Sequence, residues 1–323
     1  MESPFATAPW TFRGDRTLAP VPFLIAGIVN LTPDSFSDGG RFLKPEAALE
    51  QVRRLADEGA RILDLGAEST RPGAADIGPD EEARRLRPVL NRVVALRDRS
   101  AEERPSGLSL LAPDGQERTV PFLVSVDTFR AETAVLALER GADIINDVSG
   151  CTFDPALLEV LVHYAPACIL GHSPARPADM REKARYDDVL EDLARYFGER
   201  LETLVRAGLP ETRLCLDPCI GFGKTPEHSL RILRDIDRLA AFGRPLCLGI
   251  SRKSFLGAIT GYATGERDLH TQVATAFLAR KGVAVHRVHD ARAARATLAL
   301  SALLDFPPPP GTSPAGSVPG NIS

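Results

Sequence analysis

The stretch PFLVSVDTFRAETAVLALERGADIINDV, residues 121–148, decides the fold class because two short apolar runs flank a helix-like segment. The runs at 121–127 and 143–148 are apolar on both faces, which is typical of buried parallel strands. The segment 130–140 between them has the length of a helix and ends next to Gly141. A strand, a helix and a parallel strand form the repeating unit of α/β proteins.

The same order of elements continues on both sides of this stretch. Further strands are predicted at 23–30, 61–66, 167–172, 213–218, 245–251 and 284–289, and further helices at 45–59, 79–98, 155–164, 187–207, 226–241, 268–281 and 290–304. Eight strand–helix units favour a closed (β/α)8 TIM barrel over an open doubly wound sheet. In such barrels the chemistry lies at the carboxyl ends of the strands.

Three segments do not follow this rhythm. Residues 1–20 form an N-terminal extension, in which Trp10 and Phe12 belong to a short alternating stretch that either plugs the barrel bottom or forms a hairpin. The insertion 99–120 contains SLLAPDGQERTV, which predicts two strands around a Pro-Asp-Gly turn. The hairpin-like segment 105–120 enters the third strand from the end opposite the site, and we expect it to be dispensable for chemistry. The tail 306–323 is rich in Pro, Gly and Ser and is predicted to be disordered. The barrel itself is expected to span 21–305.

Composition narrows the classes of function. The chain has 323 residues, 44% of them hydrophobic, and a formal net charge of −4, so no basic excess points to nucleic acid. It shows neither a membrane-length apolar run nor the pattern of a signal peptide, and we expect a cytoplasmic protein. The cysteines form no CxxC pair and are expected to be reduced packing residues, with a metal role for Cys215 and Cys219 as the weaker alternative.

Polar residues at the ends of the first two predicted strands suggest a phosphate site. Asn30 is either a simple turn former or an oxygen ligand for Mg²⁺ with a phosphorylated substrate. After the second strand, GAESTRPGA carries Thr70 and Arg71, and the arginine either binds a phosphate with its two-pronged guanidinium or is merely solvated. The two glycine-flanked loops are typical of lids over a barrel mouth.

The later strand ends carry charges of both signs. Asp127 and Asn146 either cap helices or bind a heterocycle, with the acid stabilising a developing positive charge. Asp217 ends strand six, SRKS at 251–254 opens a helix in a manner suited to an anion, and strand eight ends in Arg287 and His289 on one face. Together these residues predict an enzyme acting on a phosphorylated heterocyclic substrate.

Seven segments together resemble one family. They are GIVNLTPDSFSDGG (27–40), LDLGAESTRPGA (63–74), VSVDT (124–128), IINDVSG (144–150), LDPCIGFGK (216–224), GISRKSFLG (249–257) and RVHD (287–290). In this order they are similar to the dihydropteroate synthase family, the folate-pathway target of sulfonamides. The resemblance spans about residues 22–304.

The resemblance implies condensation of 6-hydroxymethyl-7,8-dihydropterin diphosphate with 4-aminobenzoate, with Mg²⁺ as cofactor, in a homodimer formed through late helices. The pterin would be held by Asp127, Asn146, Asp217 and Lys253. The diphosphate would be held by Asn30, Arg71, Arg287 and His289, with Asn30 as the metal residue. Aminobenzoate would be held by Phe36, Thr70, Pro72 and Ser254, beside Lys253. The catalytic residues would be Asp127, Lys253 and Arg71.

Two departures from the family pattern concern the pterin pocket. Cys219 stands where the family usually has glycine, and ILGHSPARPADM, residues 169–180, replaces the usual Met-His-Met-x-Gly. We expect the first to alter pterin packing and the second to change the pocket floor. The alternatives are a methyltetrahydrofolate:corrinoid methyltransferase and a non-catalytic pterin binder. The presence of Phe36, Arg71 and Lys253 favours the synthase, acting by loss of diphosphate before attack.

Overall fold

The structure is a computed structural model that describes residues 9–19, 21–32, 45–70, 73–103, 107–180 and 185–305. The strands in this part of the chain are β1 Thr11–Phe12, β2 Arg16–Leu18, β3 Leu24–Asn30, β4 Ile62–Gly66, β5 Leu108–Leu111, β6 Glu117–Val120, β7 Leu123–Asp127, β8 Ile144–Asp147, β9 Ala167–Gly171, β10 Leu214–Asp217, β11 Cys247–Leu248 and β12 Val285–Val288. The α-helices are α1 Pro45–Asp57, α2 Gly78–Glu103, α3 Ala131–Glu139, α4 Ala156–Tyr164, α5 Val189–Arg206, α6 Pro226–Arg234, α7 Ser254–Thr260, α8 Asp268–Arg280 and α9 Ala291–Asp305.

Eight parallel strands form the barrel, in the order β10-β9-β8-β7-β4-β3-β12-β11. A parallel bridge between Leu216 and Leu246 joins β10 to β11 and closes the circle. All eight predicted barrel strands are therefore confirmed, because runs that are apolar on both faces can be buried only between helices and a barrel interior. Helices between successive strands complete the TIM barrel.

A second, antiparallel sheet covers the amino end of the barrel. Its order is β1-β2-β5-β6, so the hairpin of the N-terminal extension pairs with the inserted hairpin, with Thr17 opposite Leu111. The two strands predicted around the Pro-Asp-Gly turn are confirmed. The described part of the N-terminal extension forms a hairpin and also packs beneath the barrel, so both structures predicted for it are present.

The contact between this sheet and the barrel is an apolar core. Trp10, Phe12 and Leu110 are fully buried, and they share one cluster with interior barrel residues such as Ile62 and Ile144. The indole Nε1–H of Trp10 donates to the Arg213 carbonyl oxygen over 3.0 Å. The inserted hairpin is thus part of the barrel floor, while its dispensability for chemistry stays a prediction.

Two predicted boundaries differ from the structure. Helix α2 continues to Glu103, which shortens the irregular part of the predicted insertion 99–120. The helix predicted at 226–241 ends at Arg234, and a 3-10 helix, Ile236–Phe242, follows. Asp235 breaks the α-helix because its backbone angles, φ −117° and ψ 26°, are not helical.

The described residues also show whether a helix could cross a membrane and what state the cysteines are in. Among its helices, none combines the length and apolar character needed to cross a bilayer. The five cysteines are buried and free, as predicted for packing residues. Burial raises the pKa of each thiol. Within the described residues no group of three or more His, Cys, Asp or Glu side chains is arranged to hold a metal.

Candidate active site

The register of the barrel brings the predicted strand-end residues to one level. Asn30 pairs with Gly66, Gly66 with Asp127, and Asp127 with Asn146 across three adjacent strand pairs. Asp217 ends β10 on the same side of the barrel. Because parallel strands all end at one rim, residues far apart in sequence become neighbours there.

A buried network of charges occupies the interior below this rim. The Arg287 guanidinium donates from Nε to Asp64 Oδ2 over 2.6 Å and from Nη2 to Asp127 Oδ2 over 2.9 Å. Asn146 Nδ2 donates to the same Asp64 oxygen over 3.2 Å, and Ser125 Oγ to Asp64 Oδ1 over 2.6 Å. One arginine thus joins two carboxylates from neighbouring strands.

Asp64 was not among the predicted site residues, although it holds this network together. Strand β4 ends at Gly66, and the Asp64 side chain is 1% exposed in the barrel interior. The signal in the sequence is an acid inside the apolar run RILDLG, since a buried carboxylate needs partners that donate hydrogen bonds. Arg287, predicted to contact only a leaving group, is one of those partners.

Burial shifts the proton affinities of the site. It raises the pKa of the Asp127 carboxyl to about 7, while the charge of Arg287 opposes this shift. It lowers the pKa of the Lys253 ammonium to about 8, to which Arg287 also contributes. Burial also raises the pKa of Asp217. Ionisable groups whose pKa values are shifted toward neutral pH are typical of enzyme active sites.

Lys253 and Asp217 meet a loop that follows β10. The Lys253 ammonium lies 4.2 Å from the centre of the Phe222 ring, a cation–π contact. The Cys219 backbone N–H donates to Asp217 Oδ1 over 2.7 Å and fixes that carboxylate. This loop therefore positions two of the four predicted pterin residues.

Lys224 organises the same loop and was missed by the sequence analysis. Its ammonium donates to the carbonyl oxygens of His172, Phe222 and Cys219 over 3.0 to 3.3 Å and lies 3.0 Å from His172 Nδ1. Burial lowers the pKa of Lys224 to about 7 and that of His172 to about 2, so the imidazole is neutral at physiological pH. The signal was a lysine directly after the glycines of GFGK.

The profile of a family described as pterin-binding enzymes matches residues 26–100 and 109–289. A dihydropteroate synthase of Synechocystis is 37% identical over 270 residues, which cover 83% of this chain and 86% of that protein. This chain belongs to the dihydropteroate synthase family. The methyltransferase alternative from the same barrel class is thereby set aside.

Solved structures of family members agree. The dihydropteroate synthase of Xanthomonas albilineans, solved with 4-aminobenzoic acid, superposes with a TM-score of 0.77 at 34% identity, covering 88% of this chain and 94% of that one. A structure of the enzyme from the same organism in complex with 7,8-dihydropteroate gives 0.73 at 32% identity, covering 88% and 95%.

The two departures from the family pattern turn out to be neighbours. A β-carbon on Gly171, in the altered segment 169–180, would lie 2.8 Å from the Cys219 sulfur. Cys219 itself has φ 50°, in the left-handed region where the glycine usual in dihydropteroate synthases is unstrained. The thiol packs with Phe129 and Val148. It therefore adds side-chain volume at a strained position beside Asp217.

At the helix start that was predicted to bind an anion, one of the two cationic side chains is already bound by an acid. Arg252 binds Asp268 through two hydrogen bonds, of 2.7 and 2.9 Å, so its guanidinium is held by α8. Helix α7 begins at Ser254, which is exposed. On the neighbouring strand end, His289 Nδ1 lies 3.0 Å from Ser251 Oγ. Of the two cations in SRKS, only Lys253 contacts the loop that follows β10 in the described structure.

The remaining predicted residues belong to the two dihydropteroate synthase loops. Thr70 is half-buried at the edge of the second loop. Phe36, Arg71 and Pro72 lie outside the described residues.

Proposed function

We propose that this chain condenses 6-hydroxymethyl-7,8-dihydropterin diphosphate with 4-aminobenzoate to give 7,8-dihydropteroate and diphosphate. The observation that carries the proposal is the buried network in which Arg287 joins Asp64 and Asp127 at the carboxyl end of the barrel. The buried carboxylates of Asp64 and Asp127 suit the N–H groups of a pterin, and the Arg287 guanidinium suits a diphosphate.

The pterin is assigned to Asp127, Asn146, Asp217 and Lys253. Asn146 and Asp217 are 5% and 6% exposed, so a ring that reaches them is removed from water. Such enclosure strengthens each polar contact with the ring. Asp64 belongs to the same wall through its bonds with Asn146 and Arg287.

The diphosphate is assigned to Arg71, Arg287, His289 and Asn30. In the structure Arg287 is bound to two carboxylates, and pterin N–H groups compete for those same oxygens. We infer that pterin binding releases part of the guanidinium for the leaving group. The arginine would then couple occupation of the pterin site to binding of the diphosphate.

Asn30 fits Mg²⁺ as the cofactor. Its half-buried amide stands at the tip of β3, and no described residue hydrogen-bonds to its side chain. An amide oxygen is a ligand that Mg²⁺ accepts beside substrate phosphates and water. Bound there, the ion would supply positive charge that stabilises the departing diphosphate. In an Asn30→Ala variant, calorimetry should show weaker Mg²⁺-dependent diphosphate binding; unchanged binding would remove Asn30 from the metal site.

Aminobenzoate is assigned to Phe36, Thr70, Pro72 and Ser254, beside Lys253. Ser254 is exposed at the start of α7, and its hydroxyl suits a carboxylate. Lys253 precedes Ser254 in the chain, and its ammonium contacts Phe222 in the loop that follows β10.

The chemistry assigned to the chain is loss of the leaving group followed by attack. The carbon–oxygen bond to the diphosphate breaks, its electron pair stays with the departing oxygen, and a cation spreads into the pterin ring. The Asp127 carboxylate stabilises that cation, Arg71 stabilises the charge of the departing diphosphate, and Lys253 binds the pterin ring. The amine nitrogen then bonds to the exocyclic carbon, and the proton that it loses passes to water. The described site presents no residue placed as a nucleophile.

One assay tests the proposal as a whole. Purified protein with Mg²⁺ and the pterin diphosphate should release diphosphate rapidly when aminobenzoate is present and form dihydropteroate in equal amount. Binding of the pterin without any product would instead identify a non-catalytic binder.

We propose that the protein is a homodimer through α8 and α9. Leu269, Val273 and Phe277 are 71%, 65% and 43% exposed along one face of α8, and Leu300 and Leu304 continue this apolar surface on α9. A self-complementary apolar patch suits a second copy of the chain. Sedimentation of wild type as a dimer and of Val273→Glu as a monomer would support this; a monomeric wild type would refute it. The cytoplasmic location and the absence of a nucleic-acid partner stay predictions.

A further inference from the structure

The residue before Lys253 has a strained backbone. Arg252 has φ 57°, in the left-handed region that residues with a β-carbon rarely adopt. Lys253 returns to an extended conformation, with φ −61° and ψ 150°, and α7 begins at the next residue. A strained residue of this kind persists only where its surroundings hold it in place.

The start of α8 holds Arg252 at three points. The backbone N–H of Arg252 donates to Thr271 Oγ1 over 3.2 Å. Its guanidinium donates to the two carboxylate oxygens of Asp268 over 2.7 and 2.9 Å. Its carbonyl oxygen accepts a hydrogen bond from Nη1 of Arg267, the residue before α8, over 3.3 Å. The backbone donor, the backbone acceptor and the side chain of one strained residue are thus all bound by a single helix start.

Thr271 is the most buried of these partners, with 1% of its surface exposed. Its hydroxyl donates to the Arg267 carbonyl oxygen over 2.9 Å. A threonine hydroxyl has one hydrogen and two lone pairs, so this bond uses the hydrogen and leaves the lone pairs for the Arg252 N–H. Because an N–H group that loses its acceptor in a buried place is costly, the Thr271 hydroxyl favours the left-handed conformation of Arg252.

Both chain neighbours of Arg252 lead into the candidate site. On the amino side, Ser251 is buried, and its Oγ lies 3.0 Å from His289 Nδ1. On the carboxyl side, the Lys253 ammonium lies 4.2 Å from the centre of the Phe222 ring. The backbone of a residue has only two freely rotating bonds, and they set the direction of the chain that follows. A rotation at Arg252 would therefore move Lys253 relative to Phe222.

We propose that Thr271 and Asp268 are positioning residues for Lys253. Both act through Arg252: the hydroxyl holds its backbone N–H and the carboxylate holds its guanidinium. The left-handed backbone that results keeps the Lys253 ammonium beside Phe222, where it is available to the pterin. This inference deepens the proposed function and rests on it for the effect on turnover.

The chain offers a matched control in Thr275, one turn further along α8. Thr275 is fully buried, and its hydroxyl has no hydrogen-bond partner in the described part of the structure. Valine keeps the branched shape of threonine but has no hydroxyl. Thr271→Val and Thr275→Val are therefore the same change on the same helix, and only the first removes the acceptor of the Arg252 N–H.

Thr271→Val should raise the apparent constant for the pterin diphosphate roughly three- to tenfold, because one buried hydrogen bond is lost. Thr275→Val should leave this constant unchanged. Thr271→Ser restores the hydroxyl and should return the constant close to the wild-type value. Asp268→Ala removes a partly exposed ion pair with Arg252 and should raise the constant roughly two- to fivefold. If Thr271→Val does not fold, an unchanged constant in Asp268→Ala would overturn the inference.

A second readout does not depend on activity. Hydrogen–deuterium exchange at the Arg252 amide should be faster in Thr271→Val than in Thr275→Val, because this amide loses its acceptor only in the first variant. Equal exchange, or equal constants for the pterin diphosphate in the two valine variants, would overturn the inference. A wild type that binds the pterin diphosphate without turnover would count against the proposed function alone. Calorimetric titration with the pterin diphosphate would then supply the binding constants for the same comparison.

Discussion

The two ends of the barrel differ in almost every physical respect. At the amino end, Trp10, Phe12 and Leu110 are fully buried among apolar neighbours. At the carboxyl end, the buried groups are charged: Asp127, Arg287 and their neighbours. Apolar burial stabilises the fold, whereas buried charges cost stability unless each is paired. One end of the barrel therefore keeps it folded, and the other is shaped for chemistry.

Removing Trp10 is the strongest test of the amino end. Trp10→Ala should lower the free energy of unfolding by about 3 to 5 kcal/mol, because a large aromatic leaves a cavity in the floor. The rate of diphosphate release per folded molecule should not change. Urea denaturation followed by circular dichroism, combined with the diphosphate assay, measures both. Lost turnover in a variant that is still fully folded would break the separation of the two ends.

Asp127→Asn is the matching test of the carboxyl end. The amide keeps the shape but loses the charge, so turnover should fall roughly 100- to 1,000-fold. With Mg²⁺ and pterin diphosphate but no aminobenzoate, wild type should release diphosphate slowly as water captures the cation, and the variant should not. Rapid-quench measurement separates the cases. No release by wild type above the background, while the complete mixture turns over, would leave Asp127 as a pterin anchor only.

Arg287→Ala and His289→Ala probe the leaving-group side. Each should raise the apparent constant for the pterin diphosphate roughly 10- to 100-fold, because hydrogen bonds to charged groups contribute about 1.5 to 3 kcal/mol. The constant for aminobenzoate should change far less in steady-state kinetics. Equal effects on both substrates would indicate that these residues only maintain the rim of the barrel.

The pH dependence should follow the two shifted groups. The Asp127 carboxyl, with a pKa of about 7, must be ionised to stabilise a cation, so kcat/KM for the pterin diphosphate should fall below pH 7. Lys253, with a pKa of about 8, loses its charge above pH 8, and kcat/KM should fall again. Each limb should approach tenfold per pH unit. An acid limb that persists unchanged in Asp127→Asn would assign it to another group.

The smallest expected effect concerns the strained residue near Asp217. Cys219→Gly and Cys219→Ala both remove the sulfur, but only glycine adopts φ 50° without strain. The glycine variant should therefore be more stable than the alanine variant by about 1 kcal/mol in urea denaturation. Equal stabilities would show that the surrounding loop relaxes and that no strain is stored there.

The barrel could be predicted from the sequence because its signals are local. Strands such as 121–127 and 143–148 are apolar on both faces, and the helix between them ends next to Gly141. The pairing of β2 with β5 could not be predicted, because alternation identifies a strand but not its partner. The floor of the barrel therefore became visible only in the structure.

The candidate site likewise contains residues that the sequence predicts and residues that it does not. Asp127 and Asn146 stand at strand ends, a position that already marks function in a barrel. The importance of Asp64 and Lys224 depends on partners far away in sequence, such as Arg287, which is 223 positions from Asp64. Periodicity and motif spacing carry no information about such contacts. What the motifs did supply was the family.

The hydrogen bond between Trp10 and the Arg213 carbonyl joins groups 203 positions apart. A ribosome adding about 5 to 20 residues per second needs roughly 10 to 40 s to cover that distance. Throughout this interval the hairpin that carries Trp10 and Phe12 lacks part of the barrel floor that it covers, so both rings stay in water or on a chaperone. The order of synthesis thus opposes the order of burial, because Trp10 leaves the ribosome long before Arg213 does.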